Sequence, residues 1–322
     1  MRSIITTLNR HWFAPASLRE LALVRILTFG TQTLFFMHWQ SLTQHLIQAH
    51  DPAGLYRPVA FLKLLLFLFG RWGQPHPAAA LLTGVWIAAV VAGVLATIGL
   101  VARPAMLCAA CSHTLLITHW YSYGEYHHPE ALLTILMIVL SFAPSAEVWS
   151  ADAWLRSRRT GVSGTGHTEI EQSYFARWPM RLMQWLMVLM YLSATGSKLY
   201  HGGLKWINGY TLCYHFLSEG LAWDRSLAMF MASFPPWVDV APSVFTMIFE
   251  GTFALAILLP RTAWFYVLVG TVFHFLIWLT QGPAFFPTII IYSVFAESIR
   301  LHAPWPFRRR MPQLIRSLKS HN

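Results

Sequence analysis

Residues 179–210 read PMRLMQWLMVLMYLSATGSKLYHGGLKWINGY, an apolar run that ends in a lysine and a glycine turn. The run can cross a bilayer, because a membrane-spanning helix needs about 20 apolar residues. Small and polar residues from Ala194 to Ser197 come directly before Lys198, and Lys205 and Trp206 follow the turn at 202–203. A lysine in this setting is either an anchor at the membrane interface or part of a site.

The composition of the whole chain points to a membrane protein. Of its 322 residues, 56% are hydrophobic and only 11% are charged, whereas a soluble domain carries roughly 25% charged residues. We therefore expect an all-α integral membrane protein with lipid as its surroundings. The formal net charge of +10 is typical of cytoplasmic loops in such proteins, and we expect no nucleic-acid partner.

Hydropathy predicts about eight transmembrane helices. The apolar runs cover residues 18–39, 79–100, 104–121, 129–147, 179–200, 240–259, 262–280 and 284–300. Two further segments, residues 59–70 and 211–239, are neither membrane-spanning helices nor simple loops. Residues 59–70 form a run too short to span, which favours an interfacial or re-entrant helix. Residues 211–239 are mixed in character and predict an outer cap with one short helix.

The basic residues predict the orientation of these spans. With both termini in the cytoplasm, the cytoplasmic side would carry Arg2, Arg10, Arg19, Arg103, Arg156, Arg158, Arg159, Arg177, Arg181, Arg261, Arg300, Arg308, Arg309, Arg310, Arg316 and Lys319. The opposite side would carry far fewer, which agrees with the positive-inside rule. We therefore expect a multi-pass protein of the bacterial inner membrane whose outer face meets the periplasm or the exterior.

One linker divides the chain, and the cysteines are few. Residues 156–176 are rich in Ser, Gly and Thr and separate four spans from four. We find no repeat between the halves, so we predict one membrane domain, 1–322, without a large C-terminal soluble domain. The three cysteines provide no disulfide framework. Cys108 and Cys111 have the spacing of a redox motif, but small residues packing between helices explain them better.

Histidines concentrate on the predicted outer face. Nine of the 15 lie outside or at outer helix ends: His38, His45, His50, His76, His119, His127, His128, His201 and His215. None of them shows the His-Glu-x-x-His spacing of a zinc site, so we expect no metal. The asymmetry places titratable side chains on the same face as Lys198.

The segment 127–130 reads His-His-Pro-Glu and opens the fourth run. Proline suits the first turn of a helix, where its missing N–H has no partner in any case. The carboxylate of Glu130 then lies near the positive end of the helix dipole. His127 and His128 are thus placed at the outer mouth of this run, either as capping groups or as site residues.

Lys198 lies about 19 residues, or roughly 28 Å of helix, beyond Pro179. At that depth the lysine can extend to the lipid headgroups, which is the simple structural interpretation. The functional interpretation is a lysine in a partly dry pocket that acts as a base.

Two ionisable residues lie deeper in the predicted membrane. Glu250 falls in the middle of one run and His274 in the outer half of the next. Such residues are costly in hydrocarbon and usually face the bundle interior. Because their spans are consecutive and antiparallel, the two side chains could pair, either structurally or as part of a pocket or a transport path.

The order of several short motifs resembles a known family. His128 opens one span, APSAEVWSAD follows at 143–152, and Tyr191, Gly196-Ser-Lys198-Leu and Trp206-Ile-Asn-Gly209-Tyr come later. With Glu250, Pro260-Arg261 and His274, this pattern resembles the horizontally transferred transmembrane domain, which includes the membrane part of vitamin K-dependent gamma-carboxylase. The resemblance covers about residues 18–300.

The resemblance implies an outward-facing site that deprotonates a quinol. In the carboxylase a lysine removes a proton from reduced vitamin K, and oxygen then yields an epoxide and a strong base that prepares glutamate for carboxylation. By motif, that lysine corresponds to Lys198 and the family's important histidine to His128 or His127. Trp206, Gly209 and Tyr210 would form the pocket wall, and Glu250 with His274 would order it.

The resemblance therefore predicts an enzyme of the carboxylase, lyase or quinol-oxidising type, with reduced vitamin K or another quinol as its cofactor or lipophilic substrate. A departure concerns the carboxylase's large lumenal domain, in whose place this sequence has a short basic segment, so we do not expect it to carboxylate a protein. The alternative hypothesis is a non-catalytic membrane partner for the maturation or export of a secreted peptide.

Overall fold

The computed structural model describes residues 2–38, 56–68, 76–124, 128–160, 172–282 and 285–302. This part of the chain is mostly helical, as predicted. Its one sheet is a short antiparallel pair in which Ala16 lies opposite Ser173 and Ser17 opposite Gln172. The chain divides into two compact units, Met1–Arg181 (unit 1) and Leu182–Asn322 (unit 2).

Unit 1 contains most of the first four predicted runs. In chain order its elements are α1 (Arg2–Phe13), β1 (Ala16–Ser17), α2 (Leu18–His38), α3 (Ala60–Leu68), α4 (Ala79–Ile98), α5 (Ala102–Tyr121), α6 (His128–Phe142), α7 (Ala151–Thr160) and β2 (Gln172–Ser173). Helix α3 confirms that the described part of the short run is helical over Ala60–Leu68.

Small residues let the helices of unit 1 approach closely. Helix α4 packs against both α2 and α5, and α5 also packs against α6. Four of the five buried residues of α4 are small: Ala89, Ala92, Gly93 and Ala96, with Leu82 as the fifth. A Cβ atom on Gly93 would overlap the side chain of Gln32 on α2. Close approach through small residues is the usual way in which membrane helices associate.

The two cysteines of α5 are not part of this packing. Cys108 and Cys111 are both free and exposed, while Ala105, Ala109 and Ala110 form the buried face of the same helix. The interpretation of the cysteines as small packing residues was therefore wrong. Residues 108 and 111 lie on the other side of α5, because helical spacing turns them away from the alanine face.

Asp152 caps the start of α5 from a distant part of the sequence. Its carboxylate accepts hydrogen bonds from the backbone N–H groups of Val101 (2.9 Å) and Ala102 (2.8 Å). The Asp152 N–H donates in turn to the carbonyl of Gly99 (3.0 Å). Val101 has a left-handed backbone with φ of 47°, so the turn between α4 and α5 depends on this bridge.

We expect Asp152→Ala to lower the free energy of unfolding by about 1–2 kcal/mol, the usual effect of losing a helix cap. Asp152→Asn, which keeps one acceptor oxygen, should lose less. Thermal unfolding of the purified protein in detergent measures both. Equal stability of the alanine variant and the wild type would show that the bridge contributes nothing.

Unit 2 contains the later runs and the cap. In chain order its elements are α8 (Arg177–Gly202, which begins at the end of unit 1), a 3-10 helix (Gly203–Ile207), α9 (Tyr210–Ala222), α10 (Ser226–Ala232), a 3-10 helix (Pro236–Asp239), α11 (Val240–Thr252), α12 (Leu255–Leu258), a 3-10 helix (Pro260–Thr262), α13 (Ala263–Gln281), α14 (Phe286–Ile291), a 3-10 helix (Tyr292–Phe295) and α15 (Ala296–His302). The cap at 211–239 thus contains two helices and a 3-10 turn rather than one short helix.

An aromatic cluster forms the centre of unit 2. The ring of Phe253 lies 4.4 Å from that of Tyr191 and 5.8 Å from that of Phe249, measured between centroids. Tyr266 and Phe295 complete the packing around Phe253 at 5.6 and 6.0 Å. Offset and edge-on aromatic pairs of this kind add stability beyond the area that they bury.

Three helices of the described residues are long and apolar enough to cross a membrane. They are Leu18–His38, Ala79–Ile98 and Pro260–Gln281, and His128–Phe142 is a shorter apolar helix. The other predicted runs are also helical, but two of them are interrupted. The run at 240–259 divides into α11 and α12, and the described part of the run at 284–300 divides into α14, a 3-10 turn and α15.

Polar and apolar side chains in unit 1 are arranged as in a membrane protein. Arg25, Gln32 and His113 have no exposed surface. Large apolar side chains of α4, such as Ile87 (51% exposed) and Val91 (54%), face outward. A water-soluble helix would have the opposite arrangement. Several apolar helices with outward-facing aliphatic rows fit a protein embedded in lipid.

Candidate functional site

Lys198 forms an ion pair with Glu250 inside unit 2. Its Nζ lies 2.5 Å from Oε2 of Glu250, which connects the last turns of α8 to the second half of α11. The side chain of Glu250 is 7% exposed and that of Lys198 is 20% exposed. The lysine is therefore turned toward an acidic partner within the protein, which argues against a side chain that only extends to the headgroups.

Thr195 adds a second hydrogen bond to the same carboxylate. Its Oγ1 donates to Oε2 of Glu250 at 3.4 Å. Thr195 precedes Lys198 by three positions, so both face α11 from neighbouring turns of α8. Gly251 helps the two helices approach, because a Cβ atom there would lie only 3.6 Å from the methyl group of Thr195.

The turn after α8 brings an aromatic ring to the ion pair. Gly203 adopts a positive φ of 54°, and the following 3-10 helix returns Trp206 toward α8. The Lys198 Nζ then lies 5.0 Å from the centroid of the Trp206 ring. A cation over an aromatic face is attracted by the ring's quadrupole. The structure thus places Lys198, Glu250 and Trp206, three of the predicted site residues, together.

His274 belongs to a neighbouring buried network. Its Nε2 is 2.8 Å from the hydroxyl of Tyr191, and that hydroxyl also bonds the hydroxyl of Tyr292. All three residues are at most 3% exposed. Gly270 makes room for this arrangement, because a Cβ atom there would overlap the Tyr292 hydroxyl.

The structure therefore assigns Glu250 and His274 different partners from those expected. They were considered as a pair, but Glu250 bonds Lys198 and Thr195 while His274 bonds Tyr191. Sequence reasoning did not identify Tyr191 as part of a network. A signal was present, since Tyr191 precedes Lys198 by seven residues, or two helical turns on one face.

The lysine and glutamate can share one proton in two ways. Either the lysine is charged beside a carboxylate, or a neutral amine lies beside a carboxylic acid; the net charge of the pair is zero in both. Burial disfavours the two separated charges, whereas the short contact and the Thr195 bond favour them. A group that approaches Lys198 can thus meet either a donor or an acceptor.

Gly209 and Tyr210 lie at the junction between this turn and the cap. Gly209 is buried with φ of 85°, and a Cβ atom there would overlap the backbone carbonyl of Pro236. Tyr210 is 67% exposed, and its backbone N–H donates to Oδ1 of Asn208 at 3.0 Å. Gly209 thus lets the turn contact the cap, while the Tyr210 side chain faces outward.

The predicted histidine site falls in unit 1. His128 begins α6 and is exposed, while Pro129 and Glu130 beside it are buried. His127 lies outside the described residues. The prediction of a helix start at this segment is confirmed, and the roles of the two histidines remain predictions.

Asp239 is a buried acidic group of the cap. It has no exposed surface, and neither carboxylate oxygen has a hydrogen-bond partner among the described residues. Burial raises the pKa of this carboxyl above its ordinary value of 3.8. A raised pKa in the folded protein means that the protonated form contributes stability at low pH, and that this contribution is lost as the pH rises through the raised pKa.

We expect Asp239→Asn to raise the free energy of unfolding at pH 7 by about 1 kcal/mol, because it removes a buried charge that lacks a partner. The difference from the wild type should shrink toward zero as the pH falls below 3.8. Chemical unfolding across this pH range measures it. Asp224→Asn, at an exposed aspartate, is the matched control and should change little; a destabilised Asp239→Asn would contradict the expectation.

The described residues contain no group of three or more His, Cys, Asp or Glu side chains that could hold a metal ion. No family model matches the chain, and searches of curated proteins and of solved structures find no significant match.

Proposed function

We propose that this chain is a polytopic membrane protein related to the horizontally transferred transmembrane domain of vitamin K-dependent gamma-carboxylase. In this proposal eight helical segments cross the inner membrane of a bacterium, both termini are cytoplasmic, and the site opens to the periplasm or exterior. The motif order from His128 to His274 supports the relationship. The outward-facing aliphatic rows of unit 1 support the membrane setting.

Within this framework Lys198 acts as the base on a quinol-like lipophilic molecule. The observation that carries the proposal is the ion pair, in which Nζ lies 2.5 Å from Glu250 with one face toward Trp206. The amine retains some exposure, so a bound molecule can reach it. The aromatic ring of Trp206 beside the amine suits a ring-bearing lipid better than a polar substrate.

Glu250 can hold the proton that would otherwise be on Lys198, which leaves the amine free to act as a base. With the amine neutral and the glutamate protonated, Nζ has a lone pair for the hydroxyl proton of the substrate. The O–H bond breaks, an N–H bond forms, and the pair becomes positively charged beside the new oxyanion. Thr195 holds the carboxyl group in place during this change. A bound reduced quinone would supply the hydroxyl group that is deprotonated, and, by analogy with the carboxylase, molecular oxygen would be its oxidant.

The test is turnover of reduced menaquinone or phylloquinone by the purified protein in lipid. We expect Lys198→Ala to lower turnover at least about a hundredfold, the lower range for loss of a general base. Lys198→Arg keeps a positive charge beside Glu250 without providing a base at neutral pH, and it should be equally inactive. Lys205→Ala, at the exposed lysine of the following turn, is the matched control.

Unchanged turnover in Lys198→Ala would exclude the role of the lysine, and no turnover with any quinol would exclude the enzyme. The predicted role of His128, a hydrogen bond to the reacting oxygen, is tested separately with His128→Gln. That variant should lose turnover while keeping the same thermal stability, because His128 is exposed.

A second candidate is a non-catalytic partner for a secreted peptide. One observation favours it: α9 exposes an apolar row at helical spacing, with Tyr210 at 67%, Tyr214 at 66%, Leu217 at 42% and Leu221 at 67%. Such a row can receive an extended or helical peptide. Stable co-purification with a small secreted peptide, lost in Tyr214→Ser, would support this candidate, whereas quinol turnover without a partner would argue against it.

A further inference from the structure

Unit 1 has a polar interior along α2. Arg25, Thr28 and Gln32, which we call the polar stripe, all have no exposed surface. Their spacing of three and four residues places them on one face of the helix, and the stripe is about 10 Å long at 1.5 Å per residue. A row of this kind in an apolar bundle is costly, and in membrane proteins it usually has a function.

Two ionisable residues on other helices extend the stripe. One turn beyond Gln32, the ring of Phe36 lies 5.4 Å from that of His113 on α5. His113 is fully buried, and its helix α5 packs against α6, whose first turn contains Glu130. Glu130 itself is 6% exposed. The polar stripe therefore leads from Arg25 toward two groups that can take up and release protons.

These five residues carry buried polar atoms that are not paired within the described part of the protein. Among the described residues, no hydrogen-bond partner is found for Arg25 Nε and Nη1, Thr28 Oγ1, Gln32 Oε1, both ring nitrogens of His113 and Glu130 Oε2. In hydrocarbon a polar group without a hydrogen-bond partner is strongly destabilising. Buried groups that lack protein partners are normally hydrogen-bonded to internal water. The five polar residues Arg25, Thr28, Gln32, His113 and Glu130 can together bind a row of water molecules.

Arg25, at one end of the polar stripe, contacts the turn between α4 and α5. Its Nη2 donates to the carbonyl of Trp149 at 2.6 Å, and Nη1 lies beside Gly99, where a Cβ atom would approach it to 2.7 Å. Asp152 of α7 caps this turn by accepting hydrogen bonds from the N–H groups of Val101 and Ala102. It also lines a surface pocket of about 330 Å³ together with Val101 and Arg103. Asp152 is also the acidic group whose charge attracts Arg25.

We propose that this interior is a hydrated proton path that connects His113 and Glu130 with the pocket at Asp152, and that the charge of Arg25 blocks it. Protons move along a water file by exchange: each molecule accepts a proton from one neighbour and releases another to the next, so no atom is gained or lost. A fixed positive charge in such a file repels the excess proton. The path lies in unit 1 and does not depend on the role of Lys198.

The test is proton flux into proteoliposomes that contain the full chain, measured with an enclosed pH-sensitive dye under an imposed membrane potential. The wild type should conduct no more than empty liposomes. Arg25→Gln should raise the flux at least about tenfold, which corresponds to a barrier lowered by about 1.4 kcal/mol. Arg25→Lys, which keeps the charge, is the matched control and should remain closed.

A double variant tests the route. Arg25→Gln with His113→Leu should return the flux to the baseline, because the second change removes a proton-exchanging group from the far end of the path. A folded Arg25→Gln without increased flux would overturn the proposal. So would an Arg25→Lys that conducts as much as Arg25→Gln, or a double variant that still conducts.

A second measurement covers the case in which Arg25→Gln does not fold. Hydroxyl radicals generated by X-ray irradiation label side chains beside bound water. Phe36 is 2% exposed but should be labelled in the wild-type protein, while Phe253, buried among the rings of unit 2, should not. Thr28→Val with Gln32→Leu should expel the water and lower the labelling of Phe36 severalfold. Equal labelling of Phe36 and Phe253 in the wild type would show a dry interior and overturn the proposal.

Discussion

Replacing Lys198 with alanine is expected to lower the free energy of unfolding by about 3 kcal/mol, because it leaves the carboxylate of Glu250 buried without its cation. Glu250 is only 7% exposed at its side chain and has no other cationic partner among the described residues. Equilibrium unfolding in detergent or in lipid measures the change. Replacing a lysine that only anchors the surface would lower the free energy of unfolding much less, since exposed ion pairs contribute at most about 1 kcal/mol.

A double variant distinguishes the effect of an unpaired buried charge from the effect of lost packing. Lys198→Met with Glu250→Leu removes both charges and keeps the side-chain volumes, so it should recover most of the stability that Lys198→Ala loses. Activity should not recover, because no base remains. If the double variant were as unstable as the single one, the loss would come from packing around α8 and not from an unpaired charge.

Replacing Gly209 with alanine is expected to lower the free energy of unfolding by about 2–4 kcal/mol, since a left-handed backbone and a steric overlap act together. The residue has φ of 85°, and the overlapping atom is the backbone carbonyl of Pro236, which cannot rotate away as a side chain could. The cap should separate locally from the turn that carries Trp206. Faster proteolysis within 210–239 would detect this change.

Gly196→Ala is the matched control for this prediction. Gly196 lies inside α8, and a Cβ atom there would meet nothing within 4 Å. Alanine is favoured over glycine in a helix by about 1 kcal/mol, so this variant should be as stable as the wild type or more stable. If both variants lost the same stability, the loss could not be assigned to the contact with Pro236.

The positions of the helices could be predicted from the sequence better than the contacts between them. Helices occur at each predicted apolar run, because hydrophobic length and helical propensity are local properties. The break between α11 and α12 was not predicted, since both halves of residues 240–259 are equally apolar. The cysteines of α5 were misplaced for a related reason: on a helix that is apolar all round, hydropathy does not indicate which face is buried.

At the candidate site, too, individual residues could be identified from the sequence but most of their contacts could not. Lys198, Trp206 and Glu250 were each identified from the sequence as ionisable or aromatic residues in unusual positions, but Glu250 was considered with His274. Tyr191 and Tyr292 were not identified as site residues, because a tyrosine in an apolar run is ordinary. The hydrogen bonds of Tyr191 to His274 and Tyr292 join residues that are 83 and 101 positions apart.

The sequence alone determined that this chain is helical and apolar enough for a membrane, and that Lys198 ends a long helix before a glycine turn. These properties depend on composition and on neighbouring residues. Only the tertiary structure decided that Lys198 meets Glu250, that His274 meets Tyr191, and that α2 buries Arg25, Thr28 and Gln32. Each of those contacts depends on how helices rotate and pack against one another, and rotation is set by steric fit between distant segments rather than by the periodicity of any one of them.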